Sequence, residues 1–238
     1  MKKNLPLIIF ILLLSLSCFF NLISYGKNQE SPGLEVILKK DLEKDLNEKQ
    51  VQDGENKLTF RARKSALWFK NKIANKTKGN VVEVSLEGEL YNPPKKISEV
   101  SKNKIDRSTP EGVLASFFSA SEKADLDWIT SNYIDEEKDK VKTFFEDKKN
   151  LQDSKSASKS IKSKFITGKA KYKDYSIVFI EQNYKNGKDV TEAIACKETS
   201  DGWKITNEIA NDEVFDIVFA AVNSGEVISG KEKLSEKD

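Results

Sequence analysis

Residues 108–129 read STPEGVLASFFSASEKADLDWI. Ser108 and Glu111 have capping-box spacing, and Pro110 stands where its fixed φ and missing N–H cost least, so the stretch predicts a helix from Pro110 to Lys123. Its apolar face is Val113, Leu114, Phe117 and Phe118. Small Ala115, Ser116, Ser119 and Ala120 allow another backbone to approach. Asp125-Leu126-Asp127-Trp128-Ile129 opens a second short helix, with Trp128, Ile129 and Tyr133 as positions to bury. A third is expected from Asp135 to Asn150, on a stripe of Val141, Phe144 and Phe145.

Downstream, Asp153–Ser160 is a Ser/Lys run too polar to build core, and it reads as a mobile loop or a frayed helix. An anion-binding loop is the functional alternative for those residues. From Tyr175 the period changes to two. Tyr175, Ile177 and Phe179 line one face, Val178 and Ile180 the other, and Asn186-Gly187 signals a turn. Asp189–Glu198 returns, Asp201-Gly202 turns again, and Trp203, Ile205 and Ile209 face inward. A closing helix at Asp212–Asn223 carries Val214, Phe215, Ile217, Val218, Phe219 and Val222, so it must pack on something, most cheaply the domain's own sheet.

Upstream, Leu58, Phe60 and Ala62 alternate with Thr59, Arg61 and Arg63, and Val82, Val84 and Leu86 alternate with Glu83, Ser85 and Glu87. Both runs predict half-buried strands. The second is expected to end between Gly88 and Asn92, ahead of Pro93-Pro94. The segment between them, with Leu67, Trp68, Phe69 and Ile73, fits a short helix or a bent strand. Pro93–Asp106 reads as a charged connection.

The N-terminus places Lys2 and Lys3 before an uncharged stretch from Asn4 to Gly26, a basic region followed by an apolar one. Ser24 and Gly26 suit signal-peptidase cleavage after Gly26. Two other fates stay open. The stretch approaches the ~20 residues that span a bilayer, so it could be retained as an anchor. Leu14–Cys18 loosely resembles a lipobox, which makes Cys18 a candidate for lipidation, although Ser15 stands where a branched aliphatic is usual. Residues 27–56 are almost wholly polar, a tether or solvated helix.

Composition excludes several chemistries. The chain has 40 Lys+Arg against 38 Asp+Glu, and removal of residues 1–26 takes two lysines and balances the charge. A nucleic-acid partner is not expected from a neutral domain. Histidine is absent, and Cys196 is the one cysteine beyond the leader. Zinc sites of Cys and His, Ser-His-Asp triads and Cys-His pairs therefore cannot be built. No phosphate-binding Gly-rich loop or calcium loop is present, and neither metal nor cofactor is expected. Cys196 reads as a buried small apolar residue.

The Thr-Pro-Glu start with Phe117-Phe118, the acidic Asp125-Leu126-Asp127-Trp128 turn and a meander ending in Gly202-Trp203-Lys204-Ile205 resemble the nuclear transport factor 2-like superfamily, particularly its small exported bacterial members. The resemblance covers about residues 108–210. It implies a curved antiparallel sheet wrapped on the preceding helices as a cone with an apolar pocket, lined here by Phe117, Trp128, Tyr133, Ile177, Phe179, Trp203 and Ile205. That superfamily includes ketosteroid isomerases and polyketide cyclases, for which Tyr133, Asp135, Tyr172, Tyr175 and Tyr184 are chemically eligible. No position carries a transferable catalytic motif, and fold analogy assigns no function.

The expectation is an α+β fold of cystatin or nuclear transport factor 2-like type with extra N-terminal strands. Its divisions are a leader (1–26), a tether (27–56), a β-containing extension and linker (57–107), the α+β domain (108–223) and a polar tail (224–238). The expected role is noncatalytic binding, in a bacterial periplasm or envelope, of a small apolar ligand or an envelope protein. Membrane contact is expected only through the N-terminal segment. A pocket enzyme, an anchored interaction module and a homodimer remain alternatives. Solvent-facing, contiguous Trp68 and Phe69 favour an interface. A cavity lined by Phe117, Trp128, Ile177 and Trp203 favours a ligand.

Overall fold

The computed structural model describes residues 56–224 and 226–230. The leader, Cys18 and the tether up to residue 55 lie outside the described residues. The described residues form one unit, an α+β fold with a seven-stranded antiparallel sheet. The strands are β1 (Lys57–Arg63), β2 (Val81–Lys96), β3 (Ile161–Tyr172), β4 (Tyr175–Tyr184), β5 (Asp189–Thr199), β6 (Gly202–Ile205) and β7 (Val227–Ser229). Their order is β6-β5-β4-β3-β2-β1-β7. The helices are α1 (Lys72–Lys76), α2 (Pro110–Lys123), α3 (Leu126–Ser131), α4 (Asp135–Glu146), α5 (Lys148–Ser160) and α6 (Glu213–Ser224).

The two faces of β4 bury different partners. Ile177 and Phe179 lie opposite Ala195 and Ala193 of β5, and on that face the Thr191 hydroxyl donates to the Val222 carbonyl of α6 at 2.9 Å. Val178 lies opposite Lys169 of β3, whose ammonium reaches Glu111 of α2 at 3.4 Å. Helix α6 therefore covers one face, against β1, β2 and β5, while α2 packs on β4 and β6 from the other. The closing helix does pack on its own sheet.

The sheet is strongly curled toward α6. Phe60 of β1 and Phe179 of β4 meet edge to face with centroids 5.5 Å apart, although β2 and β3 lie between them. In a flat sheet those strands stand about 14 Å apart. Glycine permits this close approach. A Cβ on Gly88 would lie 2.5 Å from the Lys169 carbonyl oxygen, and one on Gly168 2.5 Å from that of Glu89.

Several boundaries differ from the sequence reading. The cap of α2 is Thr109, whose hydroxyl accepts from Gly112 N at 3.1 Å, whereas the Ser108 hydroxyl donates to Asp106 at 2.6 Å. Thr109→Ala is accordingly expected to cost about 1 kcal/mol in urea denaturation, and Ser108→Ala less than about 0.5.

Strand β2 runs through Pro93 and Pro94 to Lys96, with a register shift between Leu90 and Lys95. Beyond Glu87 it pairs with β3 alone among the described strands, so a proline without an N–H removes no ladder bond on the open side. The expected third helix breaks at Asp147, whose carboxylate accepts from Lys149 N and starts α5. The Ser/Lys run is thus helical, not a loop. Strand β7 forms within the expected polar tail and pairs with β1. Strands β1 and β2 belong to the same sheet as the meander, so no domain boundary falls at residue 107.

Candidate functional site

The seven side chains expected to line one pocket lie on both sides of the sheet. Trp128 is buried and donates its indole N–H to Ser116 of α2 at 2.8 Å. Phe117 stacks edge-on to Tyr133 at 5.8 Å, and Tyr133 bridges Ile205. Ile205 pairs with Cys196, on the face of β4 opposite to Ile177 and Phe179. Trp203 shares the Ile205 face and is half-buried. The structure therefore places Trp128, Tyr133 and Ile205 in the helix-side core, with half-buried Phe117 against Tyr133. Ile177 and Phe179 belong to the core under α6.

The acid and hydroxyl groups eligible for catalysis are dispersed. The Tyr172 hydroxyl donates to Asp212 at 3.1 Å, Tyr175 to Glu208 at 3.1 Å and Tyr184 to Gln182 at 3.4 Å. Asp135 pairs with Lys138 at 2.6 Å. Burial pushes the Tyr133 phenol above its ordinary value, with Glu137 adding to the shift. Burial, with Glu111 adding to it, does the same to the Cys196 thiol, which is fully enclosed and therefore a core residue, not a nucleophile. Among the described residues, no three His, Cys, Asp or Glu side chains converge as a metal site requires.

The surface with the clearest capacity to bind is the aromatic segment between β1 and β2. After a single 3-10 turn at Lys64–Ala66, the chain crosses α6 and enters α1. Asp216 is 3 % exposed on α6 and accepts from Trp68 N at 3.0 Å and Asn71 Nδ2 at 3.4 Å. Asn71 caps α1 by accepting from Ala74 N and donates to the Glu213 carbonyl at 2.8 Å. Burial raises the Asp216 carboxyl above its usual value, against these hydrogen bonds. The crossing segment is thereby bolted to α6. Trp68 remains 44 % exposed, with its ring edge-on to Phe219 at 5.2 Å. Phe69 and Phe219 are half-buried beside it.

Sequence reading singled out Trp68 and Phe69 but neither Asp216 nor Asn71. Asp216 was visible as a lone charge between Phe215 and Ile217 in an apolar helix. Its partners lie more than 140 residues away in the chain, and only the fold supplies them.

No protein-family model matches the chain, and no curated protein and no solved structure is significantly similar to it.

Proposed function

We propose that the chain is a noncatalytic binding protein of the bacterial cell envelope, and that Trp68, Phe69 and Phe219 form the surface that docks an envelope protein. The observation that carries this reading is the exposed indole of Trp68 on a segment anchored at Asp216. A large aromatic ring held rigidly at the surface offers contact area with little ordering cost, which is the character of interface anchors. The dispersal of the eligible Tyr and Asp groups speaks against the enzyme alternative, since acid–base work needs them within hydrogen-bond reach of one substrate. The split of the expected pocket residues across the sheet removes support from a ligand enclosed by all seven.

Export is supported by Lys2 and Lys3 ahead of the uncharged stretch to Gly26. The finer fold reading, a nuclear transport factor 2-like cone, is supported by helices α2 and α3 preceding the β3–β6 meander and by the curl of the sheet. The α6 face and the β1–β2 hairpin are additions to that pattern.

A photoreactive phenylalanine analogue at position 68, expressed in the native host, is expected to trap an envelope protein. The same analogue at Lys171, exposed on β3, is expected to trap none. Equal yields at both positions, or a noncovalently retained small molecule in native mass spectrometry with no adduct at 68, overturn the reading. Intact mass of the same preparation separates a chain starting at Lys27 from one lipidated at Cys18 or one retaining Met1.

A further inference from the structure

Two cations converge on the C-terminal end of α3. Arg107 Nη1 donates to the Ser131 carbonyl oxygen at 2.7 Å and Nη2 to the Ser131 hydroxyl at 3.2 Å. Lys204 Nζ donates to the same carbonyl oxygen at 3.0 Å. Lys204 is 6 % exposed and Arg107 is half-buried. Among the described residues, neither has a carboxylate within ion-pair distance.

One cation suffices to complement the end of a helix. A second like charge on the same oxygen, with its stem buried, is costly unless an opposite charge joins it. The groups facing the pair do not supply one at contact. Lys138 adds a third positive charge and holds its own carboxylate, Asp135, at 2.6 Å. Asp201, in the β5–β6 turn, acts on both cations, and Asp135 on Lys204 as well, only from beyond ion-pair reach. Burial first, then Arg107 and Lys138, hold the Lys204 ammonium below the usual lysine range.

Donors remain for a ligand. A guanidinium carries five N–H groups and an ammonium three, and the bonds to Ser131 use two and one of them. The frame is fixed from behind. Trp203 N donates to the Arg107 carbonyl at 2.8 Å. Gly202, at φ +91°, packs so closely that a Cβ there would lie 2.4 Å from that same oxygen.

We propose that Arg107 and Lys204, with Lys138 beside them, form a binding site for a phosphate group. The planar Arg fork can take two oxygens while the Lys point charge takes a third, an arrangement that suits a tetrahedral dianion. The group is carried by a soluble phosphate ester or by a lipid headgroup at the membrane surface.

The test uses the full chain at constant ionic strength, titrated with inorganic phosphate while amide and Arg side-chain resonances and the thermal midpoint are followed. Saturable shifts confined to Arg107, Ser131 and Lys204, with a rising midpoint, are expected. Arg107→Gln should weaken the apparent affinity by about tenfold or more, the loss of one charge-assisted donor group, and Lys171→Gln should leave it unchanged. Lys204→Met serves as the second variant if Arg107→Gln does not fold. Co-flotation with phosphatidylglycerol vesicles but not phosphatidylcholine vesicles identifies a headgroup, and phosphate binding without co-flotation identifies a soluble ligand. Non-saturable shifts, equal shifts with acetate or chloride, or unchanged affinity in either variant overturn the site.

Discussion

Phe179→Ala is expected to lower the unfolding free energy by about 3–5 kcal/mol, the range for removing a buried aromatic ring. The upper part of that range applies because the site cannot collapse around the loss. Phe179 is 1 % exposed, and its cross-strand neighbours are Gly168 and Ala193, which have no atoms to move into the space. On the face covered by α6, it also meets the ring of Phe60 across the curl of the sheet. Native-state hydrogen exchange should therefore lose protection in β1 as well as in β4. A cost below about 1 kcal/mol in urea denaturation, or protection lost in β4 alone, would show that the N-terminal hairpin is not part of the cooperative core.

The parts of this fold that were legible in the sequence are those whose periodicity and punctuation agree. Helix α2 joins a Pro–Glu start to a continuous apolar face, and β4 and β5 are apolar runs, buried on both faces at their centres, on either side of Asn186-Gly187, where Gly187 adopts φ +80°. Strand β3 was not legible because a bulge inverts its pattern. Ile166 pairs with Ile180, yet Gly168 pairs with Phe179, so Thr167 is the extra residue and residues of one parity face opposite sides of the sheet. Two of its three buried residues, Gly168 and Ala170, are also too small to mark a core strand. Helix α5 buries only Ser158, which leaves no stripe to detect, and α2 supplies the surface on which it forms.

Site residues were legible only where a side chain is unusual in its own neighbourhood. Trp68 and Phe69 stand out in a polar stretch, and the structure leaves Trp68 exposed. Arg107 and Lys204 do not stand out in a chain with 40 basic residues. Their meaning comes from Ser131, which each reaches from a different element. The expected pocket failed to assemble for a related reason. Alternation shows that Ile177 and Phe179 share a face, but not that α6, placed after the meander, takes that face while α2 and α3 take the other.

Glu137 is a buried acid whose stripe partners were in view, since Val141 and Phe145 follow at four-residue intervals and all three are buried. Its carboxylate accepts from Asn207 N at 2.8 and 3.0 Å, from Asn207 Nδ2 at 3.1 Å and from the Thr206 hydroxyl at 3.3 Å, and so ties α4 to the chain leaving β6. Glu137→Ala is expected to cost about 2–4 kcal/mol, because the backbone and side-chain donors of Asn207 lose their acceptor in a site closed to water. Glu137→Gln keeps the shape and one accepting oxygen, and should cost about 1–2 kcal/mol. The two variants also separate charge from shape through pH. Burial raises the folded carboxyl above its ordinary value more than the hydrogen bonds lower it. In the window between the ordinary value of about 4.3 and the raised one, the folded state therefore holds the extra proton. The contribution of this carboxyl is complete below that window and declines as pH rises through it. The stability gap between the parent and Glu137→Gln should accordingly narrow from pH 4 upward in a series of urea titrations. A gap that widens with pH would mean that the Asn207 donors stabilise the anion more than burial penalises it.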